Sequence, residues 1–473
     1  MDVLEKMVFT MSQDQYNQLL EELGGNKNER NHTLLNYIRQ HGEEPENFHT
    51  QLGLSKGAYT THKSRLLKKI SGLLGKLDNN KLSQLKEETA QLSQLALQNE
   101  RDVALRILYD MEKKLKEYDL PSELATIYKL LARLNRFFPS YEHYEMEYKK
   151  NIAYSLAITK AEDRLYDFVY YLSYSYLSKN NEYVEEIEQQ LPELENISKL
   201  YPSHRLFVIY NIAKIYHSCA FLTPKELALQ EIDIENTLQQ FNEIFDKYTE
   251  DAFYQNLKHL VPFLFFEFYV RIDNRVKANY YLQKINAVIP HVAHQQLWPF
   301  FITQMINSMV HKLIADGEVA YVFETEERLK KFYFPNSHET PHFICYYRFR
   351  AIAAFYNGQY ATAAKLINDL RNAISLKQFL IIETEMKLFQ AFLYALQEDG
   401  ELAERFLSSA KRLVIDNEQL KPLVKLFGKI ITLLVKHANQ GGEKERIIKY
   451  WRKFKASNKN ILLHYLRLSL IKI

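Results

Sequence analysis

Among residues able to do chemistry, the histidines come first. His291 and His294 stand three apart in an apolar run, a spacing that puts two imidazoles on one side of a helix, as metal ligands require. No acidic third ligand stands near them. His338, Glu339 and His342 gather around Pro341, and the proline marks a connecting loop, so a solvated turn accounts for them without a metal. Cys219 and Cys345 are too far apart in sequence to suggest a disulfide framework or a cysteine zinc site. Each sits in an apolar helical context, where a thiol stays protonated and inert. Glu185, Glu186 and Glu188 fit an exposed helix face, and a hydrolytic pair of carboxylates requires geometry that spacing does not supply. Gly72-Leu73-Leu74-Gly75-Lys76 lacks the spacing and the hydroxyl residue of a phosphate-binding loop. The expectation is a protein with no catalytic residue, no cofactor and no metal: not an enzyme.

Charge is the stronger signal. The net charge of +3 hides two basic segments. Residues 47–77 carry Lys56, Lys63, Arg65, Lys68, Lys69 and Lys76 without an acid, and 446–473 is likewise free of acids. The chain between them is acidic. Such segregation attracts polyanions, or pairs one end of a molecule with the flank of another. Near the carboxy terminus Arg446, Lys449, Arg452, Lys453, Lys455 and Lys459 alternate with Tyr450, Trp451, Phe454 and Tyr465. Bases and rings in that order suit a single-stranded nucleic acid or an acidic protein groove, and equally a closing helix whose rings cover the end of a repeat array.

The elements that position these groups are helices. Only 13 Gly and 12 Pro punctuate 473 residues, too few for a chain of strands and turns. Tyr (33) and Phe (28) greatly outnumber Trp (2), as in joints between packed helices where a phenol reaches the rim. The amino-terminal periodicity predicts helices over 12–23, 31–40, 45–52 and 56–74, then a linker at Leu77-Asp78-Asn79-Asn80. Pairs follow: 81–99 with 102–118, 123–136 with 140–159, 163–178 with 182–200, and 203–221 with 224–247. Next come 251–271 with 275–289, 295–315 with 319–332, 341–356 with 360–374, and 377–397 with 402–413. The first helices end about 40–50 residues apart, the self-similarity of a repeat array. Breaks at Asn180-Asn181, Asp273-Asn274, Asp316-Gly317, Asn357-Gly358 and Asp399-Gly400 carry residues that tolerate left-handed backbone.

At Phe349–Leu370 the pattern resembles a tetratricopeptide repeat. Ala354, Phe355 and Tyr356 precede the break, and Gly358, Tyr360 and Ala363 follow at the spacing such repeats use. Gly400 and Ala403 repeat it with Leu402 in the aromatic place, and Tyr183 after Asn180-Asn181 is a degenerate third instance. The resemblance implies an all-α, right-handed solenoid of about eight hairpins over residues 81–440, behind a small basic helical domain at 1–77 and ahead of capping helices at 441–473. It also implies a face that binds a protein or peptide partner, with Tyr170, Tyr174, Tyr210, Phe265, Phe349 and Tyr356 as candidate liners that are otherwise core.

The stretch 45–70 resembles the helix-turn-helix of sigma-factor region four and of response-regulator output domains. Gly53 ends a short helix, Leu54 tucks under the turn and Ser55 caps a basic helix. In such a unit the second helix enters the major groove. Lys56, Thr60, Thr61 and Lys63 would face bases, and Arg65, Lys68 and Lys69 the phosphates. His49 stands where that family usually has a small residue. The leading expectation is a protein-binding scaffold of helical repeats, the alternative a transcriptional regulator whose repeats sense a partner. With no long apolar run and no secretory leader, the chain reads as cytoplasmic, and its oligomeric state is left open.

Overall fold

A computed structural model describes the chain apart from residues 1–2, 12, 24–28, 42–43, 46, 78–80, 179–180, 293–298, 331–332, 441, 459–460 and 468–473. The described residues form helices joined by short turns and contain no strand. None of their helices is long and apolar enough to cross a membrane. The chain divides into two compact units: residues 1–156 with 247–255, and residues 157–246 with 256–473. The boundary read from the sequence at 77–81 falls inside the first unit. Of that linker, residues 78–80 lie outside the described residues.

In the first unit, Val3–Thr10, Gln13–Glu22, Glu29–His41, Phe48–Gln51 and Lys56–Leu77 enclose a core of Leu4, Val8, Leu19, Leu34, Ile38, Phe48, Leu66 and Ile70. The helix expected over 45–52 is a single turn. It stops where the Leu54 amide donates to His49 O at 3.0 Å, with Gly53 left-handed at φ +63°. Lys81–Gln98, Arg101–Glu117 and Pro121–Leu134 build a second core around Leu85, Leu108, Leu115, Ile127 and Leu131.

Three boundaries differ from the sequence reading. The helices expected over 140–159 and 163–178 are one helix, Tyr141–Ser178. Lys160, Ala161 and Glu162 favour helix and include no breaker, Ala161 is fully buried, and Lys160 and Arg164 both pair with Glu193. The span 251–271 is instead Ala252–Lys258 and Leu260–Arg271. Pro262 has no N–H for the Lys258 carbonyl, so the helix restarts with Pro262 in its first turn, where no intrahelical bond is forfeited. The span 224–247 breaks after Ala228 into Pro224–Ala228, opened by a Thr223–Glu226 capping box, and Glu231–Lys247.

The second unit repeats one way of stopping a helix. The amide two residues past the helix end reaches back to the carbonyl three residues before it: Asn274 to Tyr269 at 2.9 Å, Glu318 to Leu313 at 2.8 Å, Gln359 to Ala354 at 2.9 Å, Asp399 to Tyr394 at 3.0 Å. The intervening residue is left-handed each time: Asp273, Gly317, Gly358 and Glu398. These Schellman stops recur about every 40 residues, each reversing the chain into the next helix. Across the Gly358 stop, Ala354 and Ala363 are buried and let the two helices approach. Glu398, exposed at φ +64°, holds a conformation that suits glycine. Glu398→Gly is expected to stabilise the protein by about 0.5–1 kcal/mol, while Gly358→Ala costs about 1 kcal/mol. A Cβ at Gly358 meets no atom within 4 Å, so that cost is purely backbone. Urea unfolding midpoints moving in opposite directions would check the pair.

The helices that precede these stops, with His204–Phe221 before them and Leu420–Gln440 after, pack on one another in series. His204–Phe221 meets Leu260–Arg271, which meets Pro299–Asp316, which meets Thr340–Tyr356. Phe355 of Thr340–Tyr356 then packs on Phe389 and Phe392 of Leu380–Leu396, which meets Leu420–Gln440. That last helix, absent from the sequence reading, receives Trp451 and Phe454 of Lys444–Asn458 against Phe427.

Candidate functional site

The shared face of these first helices is polar where a core should be apolar. Glu267 sits in LVPFLFFEFYVR, the most apolar helix of the unit, and its carboxylate is buried. A buried carboxylate needs partners on every side. Arg271, one turn on, donates Nε at 3.2 Å, Gln304 donates Nε2 at 3.2 Å, and Ser308 donates its hydroxyl. Gln304, Ser308 and His311 fall at i, i+4 and i+7 of Pro299–Asp316 and so share a helix side. Gln304 Nε2 also lies 3.3 Å from the Tyr176 hydroxyl. Burial pushes the Tyr176 and Tyr216 phenols and the Cys219 thiol upward, with Glu267 adding to each. Burial opposes the charge on Arg271, and Glu267, with Tyr176 and Cys219 adding to it, more than restores it.

Two helices on, Arg348 Nε faces Glu385 Oε1 at 2.8 Å, both side chains nearly closed to solvent. This pair holds an irregular segment of the chain itself. The Leu463 amide donates to Glu385 Oε2 at 3.3 Å, Arg348 Nη2 lies 3.4 Å from His464 Nδ1, and the Arg348 guanidinium stands 5.0 Å from the Tyr465 ring centre. The Tyr356 hydroxyl donates to the Tyr465 carbonyl at 2.6 Å and accepts from the Arg467 amide at 3.1 Å. Lys455 Nζ donates to the His464 carbonyl at 3.2 Å. Leu462, Leu463, Tyr465 and Leu466 are buried, while Arg467 is exposed.

Docking of this segment completes a recess. The His311 ring is exposed and lies 6.1 Å, centre to centre, from His464. Solvent reaches His311, yet burial by its surroundings, then Arg271 and Arg467, hold it below the usual imidazole value. A side chain both wetted and hemmed in stands in a concavity. Tyr176, 37 % exposed, is hemmed in the same way. Lys455, half-buried, is lowered to about 8 by burial and by Arg467.

Of the residues picked from the sequence as liners, Tyr356 touches the docked segment, Phe265 and Phe349 are core, Tyr174 and Tyr210 are half-buried, and Tyr170 is exposed. Phe265 stacks on Tyr281 at 4.5 Å, and Tyr170 lies 4.7 Å from Tyr174. Of the carboxy-terminal bases, Arg446, Lys449, Arg452 and Lys453 are exposed, and Arg446 pairs with Glu443 at 2.8 Å. Lys459 lies outside the described residues, as does His294. In the first unit Lys56, Thr60, Thr61, Arg65, Lys68 and Lys69 are exposed along one helix, whereas Lys63 is paired with Glu44 at 2.6 Å.

Sequence reasoning passed over the polar row Tyr176, Glu267, Arg271, Gln304, His311, Arg348 and Glu385. Glu267, a lone acid in an apolar helix, was the available signal. Two strings match catalytic motifs in letters; the first was read as a solvated turn, which buried His342 overturns, and the second was passed over. His338-Glu339-Thr340-Pro341-His342 has the spacing of a zinc-protease motif, but its helix begins at Thr340, leaving exposed His338 ahead of it. His342 is buried, its Nδ1 2.6 Å from Thr303 Oγ1. Gly53-Leu54-Ser55-Lys56-Gly57 has the letters of a nucleophile elbow, but Ser55 sits in a turn between helices and its hydroxyl accepts from the Ala58 amide at 3.3 Å. No family model matches this chain, and no curated protein or solved structure shows significant similarity to it.

Proposed function

We propose that the second unit is a right-handed, tetratricopeptide-like repeat array, and that the protein is a non-catalytic scaffold whose first-helix face binds a linear peptide segment of a partner. One observation carries this reading. Tyr176, Arg271, His311, His464, Lys455 and Arg467, from five separate stretches of chain, are partly or fully exposed beside the buried Glu267 and Arg348–Glu385 clusters, and we read them as lining one recess. Rigid helices carrying rings and polar heads suit peptide recognition, because little side-chain freedom is lost on binding. Glu267 and Glu385 are each engaged by an arginine and further donors, which favours a structural role over acid–base chemistry.

Panning a displayed random-peptide library on the intact chain tests the reading. Recovered peptides are expected to lose about tenfold or more in affinity on His311→Ala. They should be indifferent to Lys365→Ala on Tyr360–Ala373, whose side chain is exposed on a second helix. A library that returns no His311-dependent peptide would remove the proposal.

A further inference from the structure

Charge in the recess does not balance. Glu267 is matched by Arg271, and Glu385 by Arg348. Lys455 and Arg467 have no such partner: no acid among the described residues comes within ion-pairing distance of either, and the charged group that acts on Lys455 is Arg467. Lys455 faces the Trp451 ring on its own helix, the His464 carbonyl and Arg467 on the docked segment, and His311 on Pro299–Asp316. His311 in turn feels Arg271 and Arg467. An ammonium partly stripped of water beside a guanidinium is a standing cost to the fold. Methionine would pack there as well, though without the bond to the His464 carbonyl. The cost makes sense if an anion arrives there.

Resting on the peptide-binding reading above, we infer that the recess formed by His311, Lys455 and Arg467 binds a carboxylate of the partner peptide, with Lys455 and Arg467 as its two cationic contacts. The docked segment thereby supplies part of the site, since it brings Arg467 and the His464 ring to the first helices. A carboxylate there replaces a like-charge contact with two opposite ones, in surroundings where water screens poorly. Binding also holds the proton on Lys455. Above about pH 8, where free Lys455 is losing its proton, binding must take one up, so affinity falls as pH rises.

Calorimetry on the full chain at low salt, with three N-acetylated peptides, tests this. Hexaglutamate amide carries side-chain carboxylates only, hexaserine free acid carries a terminal carboxylate only, and hexaserine amide carries neither. At least one anionic peptide is expected to bind about tenfold or more tighter than the neutral one, and which one does so names the source of the carboxylate. Lys455→Met and Arg467→Gln should each abolish that preference. Lys455→Arg should keep it and lose the decline above pH 8. Lys455→Met should leave the urea midpoint unchanged or raised, which separates lost binding from lost fold. Equal binding of all three peptides, no binding of any, or an intact preference in Lys455→Met would each overturn the inference. His311-dependent peptides from panning that show no preference for a carboxylate would leave the scaffold reading standing without it, whereas the absence of any His311-dependent peptide would remove both.

Discussion

Glu385→Ala is expected to cost the second unit about 3–5 kcal/mol, because it leaves the Arg348 guanidinium buried without its counter-charge. The Arg348 side chain is 12 % exposed and that of Glu385 1 %, so water cannot take over from the lost partner. Burial already works against the charge on Arg348, and Glu385 is the largest influence restoring it. The loss spreads further than one pair, since Glu385 also accepts the Leu463 amide and Arg348 contacts His464 and the Tyr465 ring. The variant should therefore show two effects together: a lowered urea midpoint and faster proteolysis within 461–467. Replacing both partners, as Arg348→Met with Glu385→Leu, should recover much of the stability, because an apolar pair of similar volume carries no desolvation cost. A single variant within about 1 kcal/mol of wild type would mean that the pair is only a surface-strength contact.

The same pair marks where sequence reasoning stops. Helix periodicity and turn chemistry are local, so Gly317 and Gly358 were readable as stops, and so were most of the helix pairs. Asp399-Gly400 was read as a break, yet the left-handed residue is Glu398, a type that carries no turn signal. Pro262 was legible as a residue, but its effect depends on which carbonyl it leaves unbonded, and that depends on where the helix began. The polar row is harder still. Arg348 and Glu385 lie on different helices, and the segment they hold follows a further three helices. A lone charge in an apolar helix announces a partner without naming it. The carboxy-terminal rings were legible as a set but not by role: Trp451 and Phe454 cover Phe427 as a closing helix does, while Tyr465 runs back to Phe389.

Acid is expected to weaken the protein well before its carboxylates titrate. His342 is buried on Thr340–Tyr356 against Thr303, and burial lowers its imidazole from 6.5 to about 4. As pH falls through 6.5 the unfolded chain takes up a proton at His342, while the folded chain does not until about 4. Over that window the unfolded state binds more protons, so stability falls as pH falls. Each pH unit inside the window is worth about 1.4 kcal/mol, so His342 alone should remove about 2 kcal/mol between pH 7 and pH 5. His311 and His62, also lowered chiefly by burial, act in the same direction. The carboxylates held low by ion pairs or caps, Glu193, Glu235, Glu226 and Glu443, begin to matter only below their unfolded value of 4.5. The two regimes are therefore separable. Urea midpoints taken from pH 7 to pH 5 should slope for wild type and flatten for His342→Gln, whatever that substitution does to stability at pH 7. An unchanged slope would place the His342 imidazole in contact with water, and the Thr303 contact would then be a surface hydrogen bond.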